Sequence, residues 1–153
     1  MSIHDRLKEL GITLPEPMKA VANYVPYVIT GNLISISGQV SIASDGTAYK
    51  GACPAEVSLE DAIKAARVSA INIIAQINAA LDGDLDRVSR IVRLGGFVNC
   101  TPEFVDQPKV INGASDLMVE VFGDAGRHSR AAVGVPALPL GVTVEVDALV
   151  EIA

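Results

Sequence analysis

The feature that most constrains the fold is the strict alternation of residue types between Val142 and Ile152. Successive side chains of a β-strand point to opposite faces, so a repeat of two predicts a strand whose two faces differ in character. One predicted face carries Val142, Val144, Val146, Ala148 and Val150, and the other carries Thr143, Glu145, Asp147 and Glu151. The chain must therefore contain a sheet, and other elements must cover its apolar face.

Two segments with helical spacing of apolar residues are predicted to provide that cover. The first begins at Ser58 and ends before Gly83, and its stripe is mostly Ala and Ile, which lets a helix lie close to a sheet. The second follows Pro108 and ends at Gly123. Half of the residues are apolar but only 4% are aromatic, which suits a core of Val, Ile, Leu and Ala in a sheet backed by helices.

Further apolar segments predict the other strands: Val25–Ile29, Leu33–Ser37, Val88–Val98 and Ala131–Val135. Thr30-Gly31-Asn32 separates the first two, because Gly and Asn supply the positive φ that a tight turn needs. A short helix is predicted over residues 2–10, with Ser2 as its cap and Asp5 at the capping-box position. No linker or repeat divides the sequence, which predicts one domain over residues 1–153.

The predicted order of elements after the short leading helix is ββαβαββ, an α+β arrangement with two helices on one face of a mixed sheet. Such helices bury one face of the sheet and leave the other open. In a chain this small and apolar, we expect another copy of the same chain to cover the open face.

Composition and charge exclude several classes of function. The formal net charge is −6 and no basic run occurs, which opposes nucleic-acid binding, since phosphate recognition needs clustered Lys and Arg. No apolar run approaches the roughly 20 residues that span a bilayer. The first ten residues are charged throughout, without the apolar centre of a signal peptide. These features predict a cytoplasmic protein with no membrane association.

Few side chains form a recognisable catalytic or metal-binding pattern. Cys53 and Cys100 fit no metal or redox spacing and are expected to be free thiols. His4 and His128 are far apart in sequence, and His128 is interpreted as an ordinary loop residue. No nucleophile elbow is present. Because a glycine-rich nucleotide motif and a metal-ligand spacing are also lacking, no metal or organic cofactor is predicted.

Two motifs in the right order resemble one known family. From Arg127 to Val146 the chain presents an arginine, a short strand, Leu-Pro, a turn and an alternating strand that carries Glu145. The earlier segment Gly31–Gln39 presents Gly-Asn, an apolar strand and Ser-Gly-Gln. Over roughly residues 20 to 152 the sequence resembles the RidA/YjgF family, also described as endoribonuclease L-PSP-like.

The resemblance implies a chorismate-mutase-like fold and a homotrimer with clefts between neighbouring subunits. In the deaminases of the family these clefts hydrolyse reactive enamines and imines to 2-keto acids and ammonia without a metal or organic cofactor. Residues 1–17 resemble no part of the common family core and are interpreted as an N-terminal extension. Together with residues 106–113, this extension resembles a distinct subgroup.

The resemblance also assigns candidate site residues. Arg130 corresponds to the family's cleft arginine, and a guanidinium can hold a carboxylate through two parallel hydrogen bonds. Glu145 corresponds to the glutamate of the last strand and could shuttle a proton. The predicted substrate-binding residues beside Arg130 are Tyr24, Ser37 and Asn112.

Each assignment has an alternative. Arg130 could form an ordinary salt bridge, and Glu145 could be a solvated carboxylate. His128 and Ala132 stand where the deaminases usually have Pro and Cys, so the pocket is expected to differ in shape from theirs. Three functions remain open: an imine deaminase, a non-catalytic sensor or chaperone-like binder of small carboxylates, and an endoribonuclease.

Overall fold

A five-stranded mixed sheet organises the chain. The structure is a computed structural model that describes residues 1–153. The strands are β1 (Tyr27–Thr30), β2 (Leu33–Val40), β3 (Val88–Asn99), β4 (Ser129–Val135) and β5 (Val144–Ile152). Their order across the sheet is β1-β2-β5-β3-β4, in which β3 and β4 are parallel and all other neighbours are antiparallel.

The alternating segment forms the central strand, β5, as its pattern predicts. Val144, Val146 and Val150 are fully buried on one face, whereas Glu145 and Asp147 lie half-buried on the other. A strand buried on one face and paired on both edges has its register fixed, because a slip by one residue would expose every valine. β5 therefore determines which face of the sheet holds the core.

Three helices accompany the sheet: α1 (Ile3–Glu9), α2 (Leu59–Ala80) and α3 (Gln107–Phe122). α2 packs on β2 and β5, α3 packs on β3 and β4, and the two helices contact each other over the same face of the sheet. Close approach depends on small residues, since a Cβ at Gly96 would lie 2.6 Å from Cγ1 of Ile111. The predicted capping box of α1 is present, and Leu7 of this helix joins the core.

Several element boundaries differ from the predicted ones for physical reasons. β1 begins at Tyr27 rather than Val25, because Pro26 has no N–H for the ladder. β2 continues past Ser37 to Val40 through an irregularity in its pairing with β5 between Ile36 and Gln39. β4 begins two residues earlier than predicted, at Ser129. β5 begins at Val144, because Val142 bridges to Lys50 and the N–H of Thr143 donates to the carbonyl oxygen of Tyr49.

The open face of the sheet remains apolar at several points. Val28 of β1 is 52% exposed and Val133 of β4 is 45% exposed, while Phe97 and Leu149 are half-buried.

The thiols of Cys53 and Cys100 are free, as predicted from the sequence, and both residues are buried. None of the helices is both long enough and apolar enough to span a bilayer.

Candidate functional site

The guanidinium of Arg130 lies on the helix side of the sheet, held by neutral partners. Arg130 pairs with the core residue Leu94 of β3, and its side chain reaches α3. Nη1 donates a hydrogen bond to Oγ of Ser115 at 3.0 Å, and Nη2 donates to the carbonyl oxygen of Pro108 at 3.2 Å. Arg130 takes part in no salt bridge. Its charge is therefore uncompensated within one chain, which leaves only a salt bridge to a neighbouring subunit for the salt-bridge alternative.

His128 belongs to the same hydrogen-bonded group. Nε2 of His128 lies 2.8 Å from Oγ of Ser115, and Nδ1 lies 2.6 Å from the carbonyl oxygen of Gly126. His128 lies in the loop before β4, as the sequence predicted, but its ring is fixed at both nitrogens. Sequence reasoning missed Ser115 altogether, because no motif marks a serine that meets β4 only through helix packing.

Asn112 lies near Arg130 along α3. It is exposed, one helical turn after Pro108 and three residues before Ser115. Residues three and four apart share one side of a helix, so Asn112 lies between the two groups that bind the guanidinium. The structure thus brings Asn112 and Arg130 to one part of the surface.

The other three predicted site residues line a separate cavity of about 300 Å³. Tyr24, Ser37 and Glu145 contribute to its wall together with Met18 and Leu140. Oγ of Ser37 donates a hydrogen bond to the carbonyl oxygen of Val25 at 2.7 Å. This bond ties the segment that carries Tyr24 to β2, so the local fold itself assembles the wall.

Glu145 is the acidic group of this cavity, which Lys19 and Tyr24 also line. Burial raises the pKa of the Glu145 carboxyl, and the nearby carboxylate of Asp147 raises it further. No Lys or Arg side chain forms a salt bridge with Glu145. A Cβ at Gly38 would lie 2.8 Å from Cδ of Glu145. A side chain at position 38 would therefore collide with the carboxyl group, and glycine leaves room for it. A carboxyl with a raised pKa holds its proton more firmly than an exposed one, which suits it to accepting and returning a proton.

The sheet separates the two groups of residues within one subunit. Arg130 shares the helix side of β4 with Ala132, which packs against the core. Glu145 alternates with fully buried valines and so projects from the opposite face of β5. Arg130 and Glu145 of one chain therefore face different sides of the sheet. No group of three or more His, Cys, Asp or Glu side chains is arranged to hold a metal ion.

The fold and these two groups of residues define a class: small α+β proteins with a mixed five-stranded sheet, helices on one face, and an arginine without an acidic partner on the edge strand. The model of one family, described as "YjgF/chorismate mutase-like, putative endoribonuclease", matches residues 4–152. The chain belongs to this YjgF family and has its chorismate-mutase-like fold.

Similar proteins support the same assignment. Protein TCP17 of Trypanosoma cruzi is 48% identical over 147 residues, which is 95% of this chain and 91% of that protein. The crystal structure of Atu1372 from Agrobacterium tumefaciens is 50% identical, with a TM-score of 0.92 over 99% of this chain and 92% of that chain. An endoribonuclease-like protein from Shewanella oneidensis is 37% identical, with a TM-score of 0.94 over 99% and 100%.

A more distant neighbour carries a ligand. The crystal structure of Escherichia coli TdcF, solved with bound serine, has a TM-score of 0.63 and is 23% identical over 90% of this chain and 94% of that chain. At this identity the likeness establishes a shared fold.

Proposed function

We propose that this chain is an imine and enamine deaminase that hydrolyses small 2-imino acids to 2-keto acids and ammonia. The observation that carries the proposal is the uncompensated charge of Arg130, whose guanidinium is held only by neutral acceptors. Two of its five N–H groups are occupied, which leaves a charged donor surface for an anion. A carboxylate matches that surface because it can accept two parallel hydrogen bonds.

The chemistry needs a proton carrier as well as an anion site. Water adds to the imine carbon, so that a C–O bond forms and the electrons of the C=N double bond pass to nitrogen, which takes up a proton. The resulting carbinolamine loses ammonia as its C–N bond breaks and the C=O bond forms. Glu145 is suited to accept the proton of water and return it to nitrogen, because its raised pKa makes the carboxylate a stronger base than an exposed one.

The proposed site needs two copies of the chain. Arg130 and Glu145 lie on different sides of their own sheet, so one ligand can contact both only if they come from different subunits. Apolar residues on the open sheet face, including Val28 and Val133, favour association of copies through that face. We propose a homotrimer in which Asn112 and Arg130 of one subunit face Tyr24, Ser37 and Glu145 of its neighbour. The serine bound in the TdcF structure is a ligand of the size and charge that this cleft would accept.

The direct test generates the unstable substrate within the assay mixture. An amino acid oxidase acting on alanine generates 2-iminopropanoate, and semicarbazide competes with its hydrolysis. The parent protein should speed ammonia release and reduce semicarbazone formation, and Glu145→Gln should abolish this effect while still binding pyruvate. If adding the parent protein leaves the ratio of ammonia to semicarbazone unchanged, deamination is excluded.

A cleft that binds without turnover is the second outcome of the same experiment. If pyruvate binds the parent and not Arg130→Ala, but no imine is hydrolysed, the protein is a carboxylate sensor or chaperone-like binder. The family description also names endoribonuclease activity. A net charge of −6 without a basic run opposes this function, and we expect no salt-sensitive RNA retention. RNA cleavage that is lost in Arg130→Ala would support the nuclease instead.

A further inference from the structure

Arg130 ends a continuous series of hydrogen bonds that has no counterpart in the sequence motifs. The series runs from the carbonyl oxygen of Gly126 to Nδ1 of His128 at 2.6 Å, and from Nε2 of His128 to Oγ of Ser115 at 2.8 Å. It continues from Oγ of Ser115 to Nη1 of Arg130 at 3.0 Å. The participating side chains come from α3, the following loop and β4, and each is only partly buried.

The direction of each hydrogen bond follows from the chemistry of the groups. A carbonyl oxygen only accepts, so the proton of the neutral imidazole must lie on Nδ1, which leaves Nε2 of His128 as an acceptor. The hydroxyl of Ser115 then donates to the ring and turns its lone pairs toward Arg130. One arrangement satisfies the donors of neutral His128 and of Ser115, and the carbonyl oxygen of Pro108 accepts a hydrogen bond from the second terminal nitrogen of the guanidinium. Together these contacts hold the guanidinium plane in a single orientation.

We propose that Ser115 and His128 are positioning residues that orient Arg130 for planar anions. This inference rests on the proposed anion site and adds an explanation of the selectivity of that site. The remaining N–H groups of a fixed guanidinium form a flat fork that matches a carboxylate, whereas a spherical halide gains nothing from the orientation of the plane. Ser115 and His128 thus set the preference of the site for carboxylates over halides, without touching the ligand.

The test compares two anions of equal charge on the same variants. Pyruvate affinity is measured by calorimetry, and bromide affinity by halide NMR line broadening. Ser115→Ala should weaken pyruvate binding about tenfold, because the charged hydrogen bond that aligns the guanidinium is lost. Bromide affinity should change less than about twofold, since the charge remains. Arg130→Ala should weaken the binding of both anions, because the charge itself is removed.

Conservative variants distinguish positioning from mere structural support. The amide oxygen of Gln can take the place of Nε2, whereas Asn can mimic only Nδ1. His128→Gln should therefore keep pyruvate affinity near that of the parent, and His128→Asn should resemble Ser115→Ala. Ser115→Thr retains a hydroxyl and should recover most of the affinity. Ser129→Ala is the matched control, because Oγ of Ser129 bonds to the carbonyl oxygen of Val92 and not to Arg130.

The outcomes separate this inference from the proposed function. If no carboxylate binds the parent protein, the proposed function fails. If Arg130→Ala abolishes pyruvate binding but Ser115→Ala and His128→Asn bind pyruvate as the parent does, only the positioning role is wrong. An equal loss of pyruvate and bromide in Ser115→Ala would show a structural role and would overturn the inference as well. If Ser115→Ala does not fold, the comparison of His128→Gln with His128→Asn decides the question.

Discussion

At the scale of single residues, the site depends on two charges that lack partners. Arg130 has no carboxylate within salt-bridge distance, and Glu145 has no cation. Partly buried charges of this kind normally find a partner, because removing them from water is costly. Each therefore marks a position where a ligand or a neighbouring subunit is expected to complete the contact.

Arg130 should account for most of the carboxylate affinity. Arg130→Ala removes a bidentate, charge-assisted contact worth on the order of 1.5–3 kcal/mol, which corresponds to roughly a ten- to hundredfold weaker Kd for pyruvate. Arg130→Lys should recover only part of the loss, because an ammonium cannot reproduce the planar fork. Calorimetric titration measures all three Kd values. Equal affinity in the parent and in Arg130→Ala would show that Arg130 is structural.

Glu145 should make the protein less stable at neutral pH than its amide variant. Because the pKa of Glu145 is raised in the folded protein, the native state binds its proton more tightly than the unfolded chain does. Stability from this group is present in acid and is lost as the pH rises through the folded pKa. Glu145→Gln should therefore have the higher Tm near pH 7, and the difference should vanish below the ordinary value of 4.5.

Asp5→Asn serves as the control of opposite sign for that measurement. Hydrogen bonds from the side chain and backbone of Ser2 lower the pKa of Asp5, so its contribution is present at neutral pH and is lost as the pH falls through the folded pKa. Asp5→Asn should therefore lower Tm near pH 7 and leave it unchanged in strong acid. A lower Tm of Glu145→Gln near pH 7 would contradict the prediction and would indicate that a cation, such as Arg130 of a neighbouring subunit, pairs directly with the carboxyl.

Sequence reasoning found some of these residues and not others. Arg130 and Glu145 lie in motifs whose order along the chain is visible. Ser115 meets His128 across 13 residues and Arg130 across 15, through the packing of a helix on an edge strand. No local sequence pattern predicts such a contact. The interpretation of His128 as a loop residue therefore does not include the hydrogen bonds that fix its ring.

At the scale of elements, boundaries set by local chemistry were predicted well. Ser58 caps α2 through a hydrogen bond from the backbone N–H of Asp61 to its Oγ at 3.1 Å, and the predicted helix and the observed one begin together. The extent of β2 was not predicted, because its last residues pair with β5 only after the irregularity beyond Ile36. That pairing depends on a strand more than 100 residues away, which periodicity within β2 cannot reveal.

The contact between α2 and α3 provides a prediction at this scale. A Cβ at Gly113 would lie 3.0 Å from the carbonyl carbon of Ile63 and even closer to its oxygen, so Gly113→Ala must push the helices apart. Overpacking of this kind costs about 1–3 kcal/mol, or roughly 2–4 °C in Tm per kcal/mol for a chain of this size. Thermal unfolding measures the loss. Asp116→Ala, an exposed change on the same helix, should leave Tm nearly unchanged, and an equal Tm for Gly113→Ala would contradict the close contact.

At the scale of the whole molecule, the sheet both contributes to the core and separates the two groups of candidate site residues. Its helix side supplies Arg130 and its open side supplies Glu145. The alternation in β5 predicts that a sheet with one buried face exists, but not that the two halves of the site lie on different sides. This follows from the parallel pairing of β4 with β3 at the edge, which is a property of the topology.

Subunit complementation tests this arrangement directly. Arg130→Ala and Glu145→Gln should each be inactive as pure assemblies and should still assemble, because apolar contacts of the open face and not the cleft would hold the copies together. In a cyclic trimer each site combines the arginine side of one chain with the glutamate side of the next. Co-expressing the two variants with different tags should therefore restore about a third of the sites in doubly tagged trimers, because a ring that contains both variants has one interface of three at which an intact arginine meets an intact glutamate. Ammonia release by doubly tagged assemblies measures the recovery. If both residues of a site came from one chain, mixed assemblies would contain no intact site, and the absence of any recovery in purified mixed trimers would refute the shared cleft.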